Sequence, residues 1–526
     1  MKRLIFSTGI ALCCIPLFAQ GELDALKYSQ HDLRGTARYM SMGGAFGALG
    51  GDISTLSQNP AGIGVFRNSE VAATINFSNA NTETGTPSFG NLKDSKFLFT
   101  FDNIGYVATF RTPNNDFLNN INVGFAYNRL KSFNRKYKAG YNDIRSSISD
   151  YIAAKTDGIP VSDLEITNDY NPYNTQPWLS VLGYESYLIG LAGGNDLYGG
   201  VLDYTNGGMG NADLFVTEKG RIDEYTFNIG GNIMDVAYFG LGIGVMDLHY
   251  EINTSYKEYI DWTHVPNGNR GDFDLRTALS TSGTGFNFKL GTILRPTDFW
   301  RIGFAFHTPT FYDMTYDYGA GVDFYGIDYD NNGNLVSGNA STPTGRYNYS
   351  LRTPWRFMAS TAFVIGKKGI LSFDYEYTGY QNMELDDDYF GYPDENKWIN
   401  EDMKAGHTFK IGGELRVTPQ LSLRAGYANQ LSPIKANVRD YPIEIASTEG
   451  VTTQYYLDKG TQYYTMGLGY RFGRFYTDAA YVHRNNDSYL YAFSPLFSGD
   501  TQIVFPEKTN LKTKTNSVLF TLGYKF

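Results

Sequence analysis

Along most of the chain apolar and polar residues alternate one by one, which places each kind of side chain on its own face of an extended strand. The cleanest run is 371–380, where Leu371, Phe373, Tyr375 and Tyr377 share one face and Ser372, Asp374, Glu376 and Thr378 the other. Phe409, Ile411, Leu415 and Val417 against Lys410, Glu414 and Arg416 repeat it, as do Tyr225, Phe227 and Ile229 against Glu224, Thr226 and Asn228. Trp300, Ile302, Phe304 and Phe306 oppose Arg301, Gly303, Ala305 and His307, and Tyr464, Met466, Leu468 and Tyr470 oppose Thr465, Gly467, Gly469 and Arg471. The pattern predicts about fourteen strands, near 70–79, 96–112, 119–133, 220–233, 236–255, 282–296, 299–318, 354–367, 369–384, 404–418, 420–431, 459–473, 474–493 and 511–526.

The connections between these segments alternate in length. Short ones fall at 234–235, 296–298, 366–369, 418–420 and 473–474, and long ones at 80–95, 134–219, 256–281, 319–353, 385–403, 432–458 and 494–510. An even number of antiparallel strands, with tight turns at one end and long loops at the other, is the layout of an outer-membrane barrel. The fold class expected is therefore all-β, a transmembrane barrel in the outer membrane of a Gram-negative bacterium. In the last strand Val518, Phe520, Leu522, Tyr524 and Phe526 share a face, with Phe520, Leu522 and Tyr524 expected toward lipid. An aromatic end at Phe526 resembles the assembly signal of such barrels, which makes the barrel assembly machinery an expected partner.

Composition fits this reading. The 526 residues hold 42 Tyr, 36 Phe, 58 Gly and only 5 Trp, a mixture that suits strands with an aromatic outer face and a small or polar inner one. Residues 1–20 begin Met1, Lys2, Arg3 and continue with an apolar run from Leu4 to Phe18, the layout of a secretory signal peptide cut near Ala19 and Gln20. After it no run of 18 apolar residues occurs, so membrane-spanning helices are not expected. Both cysteines, Cys13 and Cys14, lie in the signal, leaving the mature chain without disulfides, thiolate metal sites or cysteine catalysis. The net charge of −10 argues against nucleic acid as a partner. His31, His249, His264, His307, His407 and His483 are scattered, without an i, i+4 pair. No metal or cofactor is expected, and no G-x-S-x-G elbow or P-loop is present. A spatial Ser and His pair in an outer-membrane hydrolase stays open.

One stretch lacks strand alternation. Residues 34–68 read RGTARYMSMGGAFGALGGDISTLSQNPAGIGVFRN, rich in small residues that allow close backbone packing, with a rigid turn at Asn59-Pro60-Ala61. A compact plug is one reading and an ordinary N-terminal loop and helix the other. Asp52 and Ser54 followed by Asn59, Pro60 and Ala61 resemble the D-x-S and N-P-A signature of the hatch in the FadL/TodX family of outer-membrane transporters for hydrophobic compounds. The resemblance implies a hatch over 21–68 inside a barrel over 69–526, with Asp52, Ser54, Asn59, Pro60 and Ala61 at the gate.

By that resemblance a hydrophobic molecule, such as a long-chain fatty acid or an aromatic hydrocarbon, is caught by outer loops. It then passes to an apolar pocket in the barrel and leaves sideways into the bilayer, without an energy source. Outer-membrane lipid and lipopolysaccharide are the expected surroundings and a monomer the expected state. A cation for a fatty-acid carboxylate could come from Lys289, Arg301, Lys410, Arg416, Arg424 or Arg471. A polar-solute porin and a surface receptor or adhesin remain the alternatives. A loop as long as 134–219 usually marks function. Its helix-compatible segments 144–154 and 178–191 put Trp178, Leu179, Leu182, Tyr187, Leu188 and Ile189 on an apolar surface at the outer mouth, unless those helices pack on one another. The acidic stretches 328–334 and 384–388 are read as solvated loop tips, with calcium as the lesser alternative.

Overall fold

The computed structural model describes residues 21–526 except 113–116, 195, 203, 205–206, 264–268, 330–334, 367, 388–390 and 446–450. Residues 1–20 (the expected signal peptide, with Cys13 and Cys14), His264, most of the acidic stretch 328–334 and Asp388 lie outside the described residues. Within them the alternating segments close into one barrel. Its strands are β1 Glu70–Thr86, β2 Gly90–Arg111, β3 Leu118–Ser132 continued by Arg135–Tyr141, β4 Met209–Ile233, β5 Ala237–Asp261, β6 Arg270–Leu294 and β7 Trp300–His307 continued by Phe311–Tyr329. They go on as β8 Gly345–Arg352 continued by Arg356–Ile365, β9 Gly369–Thr378, β10 Gly406–Arg416, β11 Leu421–Leu431, β12 Tyr455–Phe472, β13 Phe475–Tyr491 and β14 Thr509–Lys525. Each pairs antiparallel with the next, and β14 closes on β1 from Gly85↔Asn510 to Glu70↔Lys525. The result is a closed fourteen-strand antiparallel barrel.

The faces follow the alternation. Phe227, Phe304, Phe373, Phe409, Met466, Phe520 and Leu522 are exposed on the outside, while Asn228, Ala305, Asp374, Lys410 and Thr521 are buried toward the lumen. Phe526 is exposed and donates its N–H to the Ser69 carbonyl at 2.9 Å, tying the end of the chain to the start of the barrel.

Many strands run further than the pattern predicts. The expected loop 80–95 is a hairpin joining β1 to β2, and much of 256–281 and 319–353 is strand. Here both faces are polar or both are mixed, as in Asn81 and Glu83 beside Thr82 and Thr84, so no contrast marks the strand. β5 has 25 residues, about 80 Å of chain at about 3.3 Å per residue, far more than an apolar band of about 25 Å needs. β9, β10 and β11 have 10, 11 and 11 residues and do little more than cross the bilayer. The rim is therefore tall on one side and low on the other. At Thr308-Pro309-Thr310 and Thr353-Pro354-Trp355 neighbouring β7 and β8 break together. Proline cannot donate to the ladder, and the gap is bridged by Thr353 N–H to the Thr310 carbonyl at 3.0 Å and Thr310 N–H to Thr353 Oγ1 at 2.8 Å.

Residues 21–68 form α1 Glu22–Ser29, α2 Ala37–Ser41, α3 Thr55–Gln58 and a tight turn over Pro60–Val65. They dock on inward-facing wall groups. Ala37 N–H donates to Thr521 Oγ1 at 2.7 Å, Gly43 N–H to Thr465 Oγ1 at 3.1 Å and Gly47 N–H to Asp374 Oδ2 at 2.9 Å. The Asn228 amide donates to the Leu56 carbonyl at 3.0 Å. Where this segment presses closest the wall has no side chain. A Cβ on Gly240 would strike the Pro60 carbonyl, on Gly303 that of Gly47, on Gly412 that of Met42 and on Gly426 the Gly43 amide. Met42, Phe46 and Leu49 share an apolar cluster with inward Ala362, Ala428 and Ala480, small residues that leave room for a plug.

Candidate functional site

The signature residues hold this plug together and to the wall. Thr36 Oγ1 donates to both oxygens of Asp52, at 2.8 and 2.9 Å, and Thr36 N–H donates to Ser54 Oγ at 2.7 Å. Two distant parts of the segment are thereby laced together. Asn59 accepts from Ala61 N–H at 3.1 Å, capping the turn that Pro60 begins, and its amide donates to the Gly47 carbonyl at 2.6 Å. All five residues are buried. Of the five, only Ser54 reaches the lumenal cavity.

That cavity, about 210 Å³, lies above the plug. Its lining carries the cations Arg34, Lys131, Arg135, Arg356, Lys410 and Arg484 beside the carboxylates Asp32, Asp102, Glu218, Glu376 and Asp458. Arg34 pairs with Asp102 at 3.0 Å, Arg484 with Asp32 at 3.2 Å and Lys410 with Glu376 at 3.1 Å, while Arg135 pairs with Glu218. Arg356 donates to the Ser29 carbonyl at 2.8 Å and to His31 Nδ1 at 2.7 Å. Burial and the adjacent guanidinium hold His31 well below the usual imidazole range, which leaves its ring neutral and able to accept. The pocket expected to be apolar is thus strongly polar at its centre, with Leu98, Leu130, Met358 and Leu519 between the charges. Of the cations singled out from sequence, Lys410 lines it. Lys289 is buried against Glu224, Arg301 donates to the Leu49 carbonyl and Arg424 is bound by Glu414 and Asp478. Arg356 and Arg484 were missed, although their neighbours Phe357 and Tyr481 face outward and the alternation places both inside.

Apolar lining occurs higher up. A second space of about 40 Å³ adjoins the first, with Leu23, Leu26, Ile252, Leu279, Ile434 and Tyr455 facing Asp24, Lys27, Glu218 and Asp458 across it. Beside it Tyr28, Phe133 and Tyr250 pack edge to face at centroid distances of 4.9 to 6.3 Å. Over it lies the long loop, whose helices are α4 Ile148–Thr156 and α5 Trp178–Glu185. Ser147 caps α4 by accepting from Ser149 N–H at 2.9 Å, while Asp150 accepts from Ser147 N–H at 2.8 Å.

The predicted outer-mouth surface is turned inward. Leu182, Leu188 and Ile189 are buried in the apolar clusters, and Trp178 and Leu179 pack against them. Trp178 also meets Tyr318 at 4.6 Å and donates to the Tyr173 carbonyl at 2.8 Å. Only Tyr187 is exposed. Burial of the other five against one another and the barrel rim removes more apolar area from water than display would. In the acidic stretch 384–388, Glu384 pairs with Arg352 and Asp387 accepts from Tyr347. Among the described residues no group of three or more His, Cys, Asp or Glu side chains is placed to hold a metal ion.

Beside the cavity the ladder between β2 and β3 is incomplete among the described residues. β2 and β3 pair only from Arg111↔Asn120 to Asn103↔Asn128. Beyond that point β3 stays with β4, and its continuation crosses the inner face of β1, where Thr82 and Thr84 hydroxyls donate to the Lys136 and Lys138 carbonyls at 2.5 and 2.6 Å. The rest of β2, from Gly90 to Asp102, is paired with β1 alone among the described residues. The ladder stops near mid-bilayer, since Asn103 pairs with Thr74, and Thr74 with Thr521 between the lipid-facing Phe520 and Leu522. Leu98 on one side of this seam and Leu130, Ser132 and Asn134 on the other line the cavity, while Phe97, Phe99 and Phe101 are exposed outside.

A closed barrel with an aromatic outer face, a plug fitted to its inner wall and a lumenal cavity defines an outer-membrane transport protein. The profile of the outer membrane protein transport protein family (OMPP1/FadL/TodX) matches residues 203–521, more than half of the chain, and the chain belongs to that family. Similar solved structures include a Pseudomonas aeruginosa FadL homologue, 14% identical over 94% of this chain and 99% of that one, with a TM-score of 0.48. The P. putida toluene transporter TodX is 12% identical over 94% and 99%, with a TM-score of 0.46. The Ralstonia pickettii toluene transporter TbuX is 12% identical over the same shares, with a TM-score of 0.43. No curated protein matches the chain at a significant level.

Proposed function

We propose that this chain takes up amphipathic molecules with an apolar tail and a polar head, long-chain fatty acids before aromatic hydrocarbons, and releases them sideways through the β2–β3 seam. The carrying observation is that the β2–β3 ladder ends near mid-bilayer, beside the lumenal cavity. A tail leaving there enters lipid without returning to water. The charged lining favours a head that can hydrogen-bond, because a bare hydrocarbon would leave those groups without compensation. The apolar side of the space under the outer loops suits the tail on its way in. A plug set into the wall weighs against an open porin for polar solutes. The protein would work as a monomer among outer-membrane lipid and lipopolysaccharide, inserted by the barrel assembly machinery. The test is uptake of labelled oleate and labelled toluene by cells deleted for their own transporters, with and without this protein. Oleate uptake restored well above toluene uptake is expected. No gain for either would remove the transport reading and favour a surface receptor.

A further inference from the structure

We infer that Lys96 is the latch of the β2–β3 seam and that an anionic head group releases it. This rests on the lateral route proposed above. Lys96 points inward from β2, between the outward Ser95 and Phe97. Its ammonium reaches across the break and donates to Asn134 Oδ1 at 3.2 Å and to the Glu218 carbonyl at 3.1 Å. Among the described residues of the unpaired part of β2, it is the one side chain with a hydrogen bond to β3 or β4. Below it Leu98, Thr100 and Asp102 make no such crossing before the ladder resumes at Asn103. The window between Lys96 and Asn103 is therefore about 20 Å along the strand. It is walled by Leu98 and Leu130 within and by phenylalanines without.

The chemistry of the latch suits a trigger. Both acceptors of Lys96 are neutral oxygens, whereas the Glu218 carboxylate is already taken by Arg135 and the Tyr250 hydroxyl. Lys136 and Lys219 add positive charge close by. An arriving carboxylate or other anionic head offers the ammonium an ion pair in place of two bonds to neutral oxygens. Taking it frees Asn134 and the Glu218 carbonyl, and the strip of β2 between Lys96 and Asn103 can then part from β3 while Thr82 and Thr84 keep the hairpin above it on the β3 continuation. An uncharged head offers no such exchange.

The test uses the full-length protein in cells that depend on it, with labelled oleate and the corresponding uncharged alcohol. Lys96→Met should lower oleate uptake relative to alcohol uptake by about tenfold, and Lys96→Arg should keep the wild-type ratio. Heat-modifiable migration on gels shows that each barrel has assembled. A Lys96→Cys, Asn134→Cys pair joined by a short bis-maleimide, which spans the length of the lysine side chain, should block both compounds, and either single cysteine treated alike should not. A wild-type ratio in Lys96→Met, or a cross-link that leaves uptake unchanged, overturns the latch. If the wild-type protein moves neither compound, it is the transport reading that fails.

Discussion

Gly412 and Gly413 are neighbours in β10 on opposite faces of the wall, so a methyl added at either tests whether the plug is fitted to the barrel. At Gly412 the new Cβ would lie 2.8 Å from Met42 Cβ and 2.9 Å from its carbonyl carbon, closer than real Cβ atoms come. The obstacle is largely plug backbone, which has no rotamer to change. At Gly413, on the outer face, the nearest atom is the Ile370 carbonyl oxygen at 3.7 Å, ordinary contact. Overpacking of this kind costs about 1–3 kcal/mol, a shift of about five- to 150-fold in the balance between seated and lifted plug. Two readouts follow it: conductance of the purified protein in planar bilayers, and labelling of a Ser57→Cys reporter by a membrane-impermeant maleimide. Gly412→Ala should raise both, and Gly413→Ala should match wild type. Equal behaviour of the two variants would refute a plug seated on bare wall glycines.

Leu522, 58% exposed on β14 and paired with Ala73 of β1, faces lipid; Leu522→Arg should cost about 2–4 kcal/mol at mid-bilayer and less toward the interface, seen as lost heat resistance, and unchanged resistance would move the residue off that face. Pro60→Gly frees the φ of the turn docked on Gly240 and should loosen the plug by about 0.4–1 kcal/mol, with normal assembly and altered oleate uptake. Uptake equal in wild type, Pro60→Gly and a full deletion would end the transport reading. Leu188→Ala in the packed loop should destabilise it by about 2–5 kcal/mol, read as faster protease cleavage between 142 and 208, whereas Tyr187→Ala should leave cleavage and uptake unchanged; the reverse order would restore an exposed capture surface.

The faces of each strand, and from them the strand number, were legible in the sequence because alternation is a local property, whereas the plug was one of two readings of 34–68 and was favoured by the family resemblance. Alternation at Leu371 to Thr378 decides which way Phe373 and Asp374 point, whatever β9 pairs with. Strand ends above the bilayer were not legible, since outside lipid nothing requires the two faces to differ. The outer-mouth surface failed for a related reason. Helical spacing shows that Trp178, Leu182 and Leu188 need cover but not what supplies it, and the barrel rim does. The inner glycines were visible as residues, yet their meaning depends on Pro60, Gly47 and Met42 lying opposite them across long stretches of chain. The seam was hidden altogether, because β2 and β3 each look continuous and only their pairing stops.

These features bear on which part moves. Lifting the plug would break the bonds of Ala37 to Thr521, Gly43 to Thr465, Gly47 to Asp374 and Leu56 to Asn228, and would expose the apolar cluster around Met42 and Phe46. At about 1 kcal/mol for each hydrogen bond, with the burial of Phe46 alone adding about 1.5–3 kcal/mol, those contacts alone make that motion cost about 5.5–7 kcal/mol. Parting β2 from β3 between Lys96 and Asn103 takes two oxygens from Lys96, about 1.5–3 kcal/mol each, and leaves the Thr82 and Thr84 bonds to the β3 continuation in place; an anionic head returns most of that cost in the same step. On the proposed lateral route the plug would be the fixed floor of the cavity, and the strip of β2 between Lys96 and Asn103 the part that moves. Cross-linking separates the two roles. A disulfide between plug and wall, at Ser41→Cys and Gly467→Cys where an added Cβ would meet the Ser41 side chain, should leave oleate uptake intact, whereas the bis-maleimide link between Lys96→Cys and Asn134→Cys should stop it. Loss of uptake with the plug cross-link, in a barrel shown to have assembled, would return the moving part to the plug.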